Sequence, residues 1–391
     1  MNSLRIAMVT RRFWPLVGGA EMVMANLAAE FLRQGHQPRV VTAQWESDWP
    51  TDVVHREVPV VRIPNPARRG WGTLRYMVGL NRWLRRHIEE IDVVYVSMLK
   101  HDAYAAITTM ESTRVPVVVR AEGAGATGDC HWHETGRFGI RIRRCCRRAD
   151  RLIAPSPTIA DEMLAAGFEA ERIERILNGV AIPPPRHGGV RGDARAILVE
   201  VNHDLAADDQ TPVVVYTGRL DAAKGLHELI RAWPIVLATH PTARLWIVGE
   251  GPDRDALFDT IRDCDVRQQV AMPGAFDDVQ DVLNAADLFV LPSHQEGISI
   301  ALLEAMAAGV PVVASDIPGN RSVIEPGIHG LLMPARDVQS IAKAITVVLS
   351  DPRSAAQRAA TARRRVELEF SLDQMARMHL DLFQQVIAER Q

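Results

Sequence analysis

The sequence predicts an α/β fold built from two Rossmann-like, doubly wound domains, and three observations lead to this prediction. Short apolar segments alternate with helical segments along most of the chain, which is typical of parallel sheets with right-handed crossovers. Some apolar segments are continuously hydrophobic, as in Val117–Val119, which indicates strands covered on both faces. The alternation breaks near the middle of the 391 residues, where we expect a boundary between two domains.

The first half begins with a predicted strand, Leu4–Thr10, and a helix, Ala20–Gln34, whose apolar residues have helical spacing. Gly35 then stands where a glycine ends many helices. The further predicted strands are Arg39–Thr42, Val60–Ile63, Val93–Ser97, Pro116–Arg120 and Arg151–Pro155. Helical stretches separate most of these strands, and the first domain is predicted to span residues 1–182.

Proline and glycine interrupt the pattern between Asn178 and Gly192, where Pro183–Pro185 and the pair Gly188-Gly189 cannot lie inside a helix or strand. A second alternating set predicts a second domain over residues 193–370. Its segments are Pro212–Thr217, Gly225–Thr239, Ala243–Val248, Asp253–Cys264, Val270–Pro273, Val279–Ala285, Leu288–Leu291, Ile300–Ala308 and Pro311–Ala314. A last helix, Asp373–Arg390, is predicted to return to the first domain as part of residues 371–391.

Composition excludes several classes of protein. Hydrophobic residues make up 47% and charged residues 24%, an ordinary balance for a globular chain. No apolar run is long enough to span a membrane, and the N-terminus lacks the pattern of a signal peptide. The four cysteines have no C-x-x-C spacing, so the sequence indicates neither zinc nor a disulfide framework, and a reducing cytoplasm fits best.

The net charge of −3 conceals two halves of opposite sign. Residues 1–180 contain 25 Lys and Arg against 20 Asp and Glu, giving +5, whereas residues 181–391 contain 20 against 28, giving −8. The first half is therefore the better partner for an anionic acceptor or surface. No RNA- or DNA-binding module is recognisable, so we expect no nucleic-acid partner.

The first segment that carries chemistry runs from Gly218 to Gly225, between a predicted strand and a predicted helix. Its glycines allow close backbone approach, and a helix N-terminus offers N–H groups to an anion. Arg219 supplies a planar fork suited to phosphate oxygens, and Lys224 supplies a compact positive charge. The segment would bind a diphosphate and stabilise it as a leaving group. The alternative is a capped helix with two solvated cations.

The second segment contains Glu296 and, eight residues later, Glu304. It follows the strand Leu288–Leu291, at the sheet edge where open α/β sheets bind ligands. The two carboxylates could accept hydrogen bonds from the hydroxyls of two sugar rings. The amides of Ile298, Ser299 and Ile300 would face a ligand above the helix N-terminus. Alternatively, Glu304 is an outward helix residue and Glu296 an ordinary loop residue.

The third segment is the loop after the first strand, where Gly18 and Gly19 would let the backbone close on a ligand. A Gly-Gly turn before a helix is common, so this segment is weak evidence by itself.

Together the three segments resemble the family 4 retaining glycosyltransferases. The resemblance covers nearly the whole chain and includes the run Ala305–Ala314 and the closing helix. Its specific part is the order Gly-Arg…Lys followed by Glu-x7-Glu. The family has the two-domain B-type (GT-B) architecture, binds the acceptor chiefly on the N-terminal domain and the donor on the C-terminal one, and transfers sugars with retention and without a metal.

The resemblance also implies a role for individual residues. Arg219 and Lys224 would grip the donor diphosphate, Glu296 would bind hydroxyls of the transferred sugar, and Glu304 would bind the ribose. The remaining donor-binding residues implied are Gly18, Gly19, Gly218, Ile298, Ser299 and Ile300. Val270–Ala275 would meet the nucleobase, largely through backbone atoms.

The sequence departs from the family in one place. Many members carry a histidine just after the strand equivalent to Pro116–Arg120, near the sugar, and here no histidine follows directly. The candidates for this sugar or acceptor site are His101, Glu122 and Asp129. His131 and His133, further along the chain, are also within reach in principle.

Two further patterns of charged residues occur in the sequence. Asp263-Cys264-Asp265 looks like a metal-binding Asp-x-Asp, but it ends a predicted helix and is interpreted as solvated surface. Five arginines recur at helical spacing and predict one basic helix face: Arg137, Arg141, Arg144, Arg148 and Arg151. A second basic stretch contains Arg68, Arg69, Arg75, Arg82, Arg85 and Arg86, together with Trp71, Tyr76 and Trp83. Each is a solvated face, or it contacts an anionic membrane surface or a phosphate-bearing acceptor.

We therefore expect a cytoplasmic glycosyltransferase, peripheral at the inner face of the cell membrane, that needs no metal or other cofactor. It would move a sugar from a UDP- or GDP-sugar to a glycan or a lipid-linked acceptor in bacterial polysaccharide or glycoconjugate biosynthesis. The alternatives are an epimerase or donor hydrolase of the same architecture, and a nucleotide-sugar-binding module without catalysis.

Overall fold

The continuous apolar runs of the sequence form buried strands. A computed structural model describes residues 3–16, 18–66 and 71–391, with only the backbone described for Trp71. In it, every residue of the strands Val117–Arg120 and Val213–Thr217 is buried. The chain divides into two compact units: an N-terminal unit, Met1–Gly179 with Leu372–Gln391, and a C-terminal unit, Val180–Ser371.

The N-terminal unit alternates strands with helices. Its strands are β1 (Arg5–Val9), β2 (Gln37–Gln44), β3 (Asp52–His55), β4 (Val58–Pro64), β5 (Val93–Ser97), β6 (Val117–Arg120), β7 (Arg151–Ala154) and β8 (Ile173–Arg175). Its helices are α1 (Gly19–Arg33), α2 (Trp71–Arg86), α3 (His101–Met110), α4 (Asp129–Thr135), α5 (Gly139–Cys146), α6 (Pro157–Ala165) and the C-terminal helix, Leu372–Arg390.

These strands form one sheet in the order β3-β4-β2-β1-β5-β6-β7-β8. Neighbouring strands are parallel except β3 and β4. Successive side chains of a strand face opposite sides of the sheet. On one side, Tyr95 of β5 and Phe31 of α1 meet Phe383 of the C-terminal helix, with ring centroids 5.7 and 5.8 Å away. On the other, Val94 and Val96 join a buried apolar cluster with α2, α3, α5 and α6.

The C-terminal unit repeats this arrangement. Its strands are β9 (Val213–Thr217), β10 (Arg244–Val248), β11 (Val270–Gly274), β12 (Leu288–Leu291), β13 (Val312–Ser315) and β14 (Leu331–Met333). Its helices are α7 (Val190–Val201), α8 (Leu226–Leu237), α9 (Arg254–Asp263), α10 (Gln280–Ala285), α11 (Ile300–Ala307), α12 (Pro318–Arg321), α13 (Val338–Ser350) and α14 (Pro352–Glu369). The sheet is parallel, in the order β11-β10-β9-β12-β13-β14.

The predicted fold class is confirmed, because each unit is a parallel-sheet α/β domain and the last helix belongs to the N-terminal unit. Gly35 has a φ of +85°, the left-handed conformation that glycine adopts without strain after a helix. The units divide between Gly179 and Val180, near the start of the predicted boundary region Asn178–Gly192. Helix α7 was not predicted.

The predicted arginine face is wrong. Helix α5 ends at Cys146, so of the five arginines it carries only Arg141 and Arg144. Arg148 follows the helix and pairs with Glu111, and Arg151 begins β7. Spacing alone could not reveal that a turn separates these arginines.

In the second basic stretch, on helix α2, the described arginines are exposed as predicted but the described aromatic residues are not exposed. Tyr76 is fully buried in the N-terminal unit, so it is not a surface aromatic, and Trp83 packs against the core and stacks on His87. Arg75, Arg82, Arg85 and Arg86 of α2 are exposed. Arg68, Arg69 and the side chain of Trp71 lie outside the described residues.

Candidate functional site

The strand order of the C-terminal unit brings two of the predicted segments together. From β9 the chain proceeds to β10 and β11 on one side of the sheet, and from β12 to β13 and β14 on the other. β9 and β12 are neighbours, so their carboxyl ends flank the topological switch point, where open α/β sheets bind ligands. The segment Gly218–Gly225 follows β9, and the segment that contains Glu296 follows β12.

Glycine is required where the first segment approaches the second. Gly225 has a φ of +66°, and a Cβ there would come closer than 3.0 Å to the carbonyl oxygen of Pro292. Between Gly218 and Gly225, Asp221 accepts a hydrogen bond from the amide of Ala223 at 3.0 Å and caps a short 3₁₀ turn, Ala222–Lys224. The turn and the close approach together place Lys224 against the loop after β12.

Lys224 and Glu296 form an ion pair at this point. The Lys224 Nζ lies 2.7 Å from Oε1 of Glu296, with the lysine side chain 22% exposed and the glutamate side chain 11% exposed. The buried hydroxyl of Ser293 donates to the same Oε1 at 2.7 Å. The structure therefore brings together a cation and a carboxylate that the sequence had predicted separately.

Arg219 lies on the same segment and is far more accessible. Its side chain is 61% exposed, and its Nε lies 3.6 Å from a carboxylate oxygen of Asp221. Gly218 precedes it with a φ of +147°, which favours glycine, and Tyr216 donates from its hydroxyl to the carbonyl oxygen of Arg219 at 2.9 Å. The backbone is thus held while the guanidinium remains exposed to solvent.

The loop after β12 leads directly into α11. Ser299 is the N-cap residue, and its hydroxyl accepts from the amide of Leu302 at 3.4 Å. Ile298 and Ser299 are buried, and Ile300 begins the helix. Glu304 is half-buried within α11. A helix N-terminus with its partial positive charge therefore adjoins Glu296.

Two contributors to this loop were not predicted. A Cβ at Gly319, in α12, would come closer than 3.0 Å to the carbonyl oxygens of Glu296 and Gly297. Ser293 was also missed, although a polar residue just beyond a predicted strand is a usable signal. The segment predicted to meet the nucleobase, Val270–Ala275, contains β11, an edge strand that β10 separates from β9. Asp263-Cys264-Asp265 lies at the end of α9, with both aspartates exposed.

In the N-terminal unit, Glu122 lies just beyond β6 in a polar cluster. Its Oε1 accepts from the Ser97 hydroxyl at 3.1 Å and from the guanidinium of Arg120, which is itself buried. Burial raises the pKa of Glu122 to about 7, and the charge of Arg120 opposes this increase. Among the candidates for the sugar or acceptor site, Glu122 thus exchanges a proton near neutral pH.

The carboxylate of Asp129 is engaged in contacts with other residues of the N-terminal unit. One of its oxygens accepts from the amides of Leu99 and Glu122, at 2.9 and 3.0 Å, and the other lies 3.3 Å from the Lys100 Nζ. Its side chain is only 1% exposed. These contacts hold the start of the Glu122 loop against the residues that follow β5.

The histidines differ in accessibility. His101 begins α3 and is half-buried, with its ring edge-to-face to Trp132 at 5.3 Å. Burial lowers the pKa of His101, and the charges of Arg11 and Lys100 lower it further. His133 is fully buried with Nε2 2.6 Å from the carbonyl oxygen of Leu99, a structural position, whereas His131 is exposed.

Gly18 and Gly19 begin α1 after β1. Gly18 is the N-cap residue in extended conformation, and Gly19 is the first residue of the helix. A Cβ at Gly19 would meet no atom within 4 Å, so the backbone there is open to approach. Val17, the preceding residue, lies outside the described residues.

Within residues 3–16, 18–66 and 71–391 there is no group of three or more His, Cys, Asp or Glu residues arranged to hold a metal ion. In the same described part of the chain, no helix combines the length and the apolar character that a membrane span requires.

Comparison with known proteins gives two family matches. Residues 17–182 match the family described as Glycosyltransferase Family 4, and residues 200–365 match the family described as Glycosyl transferases group 1. The two matches follow one another along the chain and fall chiefly in the N-terminal and the C-terminal unit, respectively.

Two of the relatives match over less than half of this chain and of their own length. A glycogen synthase of Mycobacterium tuberculosis is 39% identical over 165 residues, which span 42% of this chain and 40% of that protein. A GDP-mannose-dependent monoacylated alpha-(1-6)-phosphatidylinositol monomannoside mannosyltransferase of Corynebacterium glutamicum is 34% identical over 189 residues, 46% of this chain and 49% of that protein. The crystal structure of Anabaena Alr3699/HepE in complex with UDP-glucose has the same fold, with a TM-score of 0.78 at 20% identity, covering 98% of this chain and 100% of that one.

Proposed function

Because the chain belongs to the family 4 glycosyltransferases of GT-B architecture, we propose that it transfers a sugar, with retention and without a metal, from a nucleotide-diphosphate donor to a glycan or lipid-linked acceptor. The observation that carries the proposal is the 2.7 Å pair of Lys224 and Glu296 at the carboxyl ends of β9 and β12. The segment that carries Lys224 also carries the exposed guanidinium of Arg219. A cation for phosphate and a carboxylate for sugar hydroxyls are thereby held side by side.

The donor diphosphate is the leaving group, and its charge grows as the bond to the sugar breaks. Arg219 and Lys224 stabilise that charge, and the N-terminus of α11 adds the amides of Ile298, Ser299 and Ile300. Lys224 need not leave Glu296 to do so, because an ammonium has three N–H donors. One can remain on the carboxylate while the others reach phosphate oxygens.

Glu296 accepts hydrogen bonds from hydroxyls of the transferred sugar, and Glu304, further along α11, accepts them from the ribose. Two protein donors already hold the Glu296 carboxylate, so little reorganisation is needed when the sugar arrives. The proposed donor-binding residues also include Gly218, Gly18 and Gly19. The segment Val270–Ala275 is proposed to contact the nucleobase of the donor.

Glu122 takes the polar role that a histidine has in many members of the family. It lies at the carboxyl end of β6, and its raised pKa, about 7, lets it accept or donate a hydrogen bond near neutral pH. Asp129 is already held by two amides and Lys100, so it acts by positioning the Glu122 loop. His101, which follows the neighbouring strand β5, remains a candidate for contact with the acceptor substrate.

The donor is UDP-glucose, GDP-mannose or a closely related nucleotide-sugar. Anabaena Alr3699/HepE was crystallised with UDP-glucose, and the corynebacterial relative is named as GDP-mannose-dependent. A thermal-shift panel of UDP-, GDP- and ADP-sugars tests the proposal, since a ligand bound only by the native state raises its stability. Stabilisation by none of them would refute it. Release of nucleoside diphosphate at full rate without an acceptor would favour a donor hydrolase.

We further propose that the enzyme is cytoplasmic and associates peripherally with an anionic membrane surface. Helix α2 turns Tyr76, Leu80 and Leu84 inward, which leaves an outward face. That face carries the exposed apolar residues Leu74 and Val78 and the exposed basic residues Arg75, Arg82, Arg85 and Arg86. Mixed apolar and cationic side chains on one helix face suit a lipid headgroup region.

The start of α5 also presents a mixture of exposed apolar and basic side chains. Phe138 is 59% exposed with a φ of +67°, an uncommon conformation for a bulky residue, and Ile140 is 62% exposed. They border a cavity of about 460 Å³ that Arg141 and Arg144 also line. Both α2 and α5 pack against α3, so the two surfaces belong to one side of the N-terminal unit. Charge complementarity therefore favours anionic lipid as the partner.

A further inference from the structure

The side chain of Glu296 is held by a residue to which the proposed reaction assigns no role. Ser293 lies two residues beyond β12 and is fully buried. Its hydroxyl donates at 2.7 Å to Oε1 of Glu296, the oxygen that also accepts from Lys224 at 2.7 Å. Two donors on one oxygen, from two different segments, fix the direction in which the carboxylate points.

The backbone beneath these side chains is held independently of that hydroxyl. The amide of His294 donates to the carbonyl oxygen of Ala223 at 2.8 Å. On one side the loop packs against Gly225, and on the other against Gly319, each too close to loop carbonyl oxygens to accept a Cβ. Removal of the Ser293 hydroxyl would therefore take away one of the two donors that hold the Glu296 side chain without releasing the loop.

We propose that Ser293 is a positioning residue that orients Glu296 toward the hydroxyls of the transferred sugar. The inference rests on the proposed function, in which Glu296 binds the sugar and Arg219 and Lys224 bind the diphosphate. Since Ser293 is fully buried, it acts through Glu296 and not by touching the donor. Its effect falls on the sugar part of the donor and spares the nucleotide part.

The chain offers a matched control. Ser315 ends β13, the strand next to β12, and is equally buried. Its hydroxyl has no hydrogen-bond partner among the residues that the structure describes. Ser293→Ala and Ser315→Ala therefore remove the same group at neighbouring strand ends, but only the first removes a contact to Glu296.

The experiment is titration calorimetry with UDP-glucose and GDP-mannose, each compared with UDP or GDP alone. A lost hydrogen bond to a charged group corresponds to about a tenfold or larger change in affinity, so we expect Ser293→Ala to weaken binding of the preferred nucleotide-sugar by about tenfold. Binding of the nucleoside diphosphate should change by less than about twofold, and Ser315→Ala should change neither affinity. If Ser293 served only the folding of the protein, Ser293→Ala would weaken the binding of nucleotide-sugar and nucleoside diphosphate alike.

A double-mutant cycle tests whether Ser293 acts through Glu296. In a Glu296→Ala background, Ser293→Ala should have no further effect on nucleotide-sugar affinity, because the carboxylate that Ser293 orients is already gone. The inference would be overturned if Ser293→Ala lowered nucleotide-sugar affinity as much in that background as in the wild type. It would also be overturned if Ser293→Ala lowered the affinities for nucleotide-sugar and nucleoside diphosphate equally. If the wild-type protein bound no nucleotide-sugar of the thermal-shift panel, the proposed function would fail and the inference with it. If it bound one and Ser293→Ala bound that sugar equally well, only the inference would fail.

Discussion

The Nζ of Lys224 lies 2.7 Å from Oε1 of Glu296, although 72 residues separate the two in the chain. The pair is partly buried and lies where two loops meet at the switch point of the sheet. In such a position a charge pair is less screened than at an exposed surface, and its geometry is fixed before a ligand binds.

Replacement of Lys224 or Arg219 by alanine should remove most transfer activity. Each side chain is proposed to stabilise charge that develops on the leaving diphosphate, and loss of one such donor typically costs about 100- to 1000-fold in rate. Initial rates with the preferred nucleotide-sugar would measure the effect. Arg231→Ala, at an exposed arginine of α8, is the control and should retain activity. Near-normal rates in both variants would refute the diphosphate role.

Gly319→Ala should disturb the Glu296 loop. A Cβ at residue 319 would overlap backbone oxygens of Glu296 and Gly297, which cannot move aside as a flexible side chain can. We expect a loss of about 1–3 kcal/mol in the free energy of unfolding, together with weaker nucleotide-sugar binding. Gly188→Ala is the matched control, since a Cβ there meets nothing within 4 Å. Urea denaturation and calorimetry would measure both effects, and an unchanged Gly319→Ala protein would contradict the proposed packing.

Transfer activity should survive chelation of divalent ions. Arg219, Lys224 and the amides at the start of α11 supply the positive charge that a metal ion would otherwise bring to the diphosphate. Assays with and without EDTA, after exhaustive dialysis, would test this. Complete loss in EDTA that magnesium or manganese restores would show that the enzyme depends on a metal.

Glu122 should make stability depend on pH. Its pKa is raised from 4.5 to about 7 by burial, so the folded protein keeps a proton that the unfolded chain releases. Its contribution to stability is present below about pH 4.5 and is lost as the pH rises through 7. Relative to wild type, Glu122→Gln should therefore gain up to about 3 kcal/mol between pH 5 and pH 8.

Urea denaturation at the two pH values measures this gain, and any cost of the substitution that is independent of pH cancels in the difference. Glu111→Gln, at a glutamate with a 51% exposed side chain, serves as the control and should show no such gain. A stability difference between Glu122→Gln and wild type that stays constant from pH 5 to pH 8 would mean that Glu122 does not titrate in this range.

The N-terminal unit should bind anionic vesicles in a salt-sensitive way. Each basic residue near such a surface contributes about 1 kcal/mol, so Arg82→Gln with Arg85→Gln should weaken binding by about 30-fold. Phe138→Ser with Ile140→Ser should also weaken it, because both exposed apolar side chains are removed.

Phe258→Ser is the matched control for the vesicle experiment. Phe258 is likewise exposed, at 45%, with Arg254 over its ring at 5.4 Å, but it lies on α9 of the C-terminal unit. Co-sedimentation with neutral and anionic vesicles at low and high salt would measure binding. Equal binding to both kinds of vesicle, or none at low salt, would end the membrane proposal and leave the transferase proposal standing.

Much of the fold was predictable from periodicity, and the errors have physical causes. Helix α7 was missed because Pro183–Pro185 and Gly188-Gly189 were interpreted as the whole boundary, although Val190, Ala194 and Leu198 have helical spacing. The arginine face failed because helical spacing continues across the turn that ends α5. Tyr76 was assigned to the surface from its neighbours in sequence, but the helix turns it into the core.

The family resemblance, the fold class and the residue types of the proposed donor site could be inferred from the sequence alone. Motif order and spacing are local properties of the chain, and local propensity and hydrophobic pattern suffice to predict strands, helices and the loops between them. Only the folded chain shows that Ser293 and Lys224 share one oxygen of Glu296, and that Gly225 and Gly319 pack against its loop. These contacts depend on which strands are neighbours and where each side chain points, and neither is encoded in the spacing of residues along the sequence.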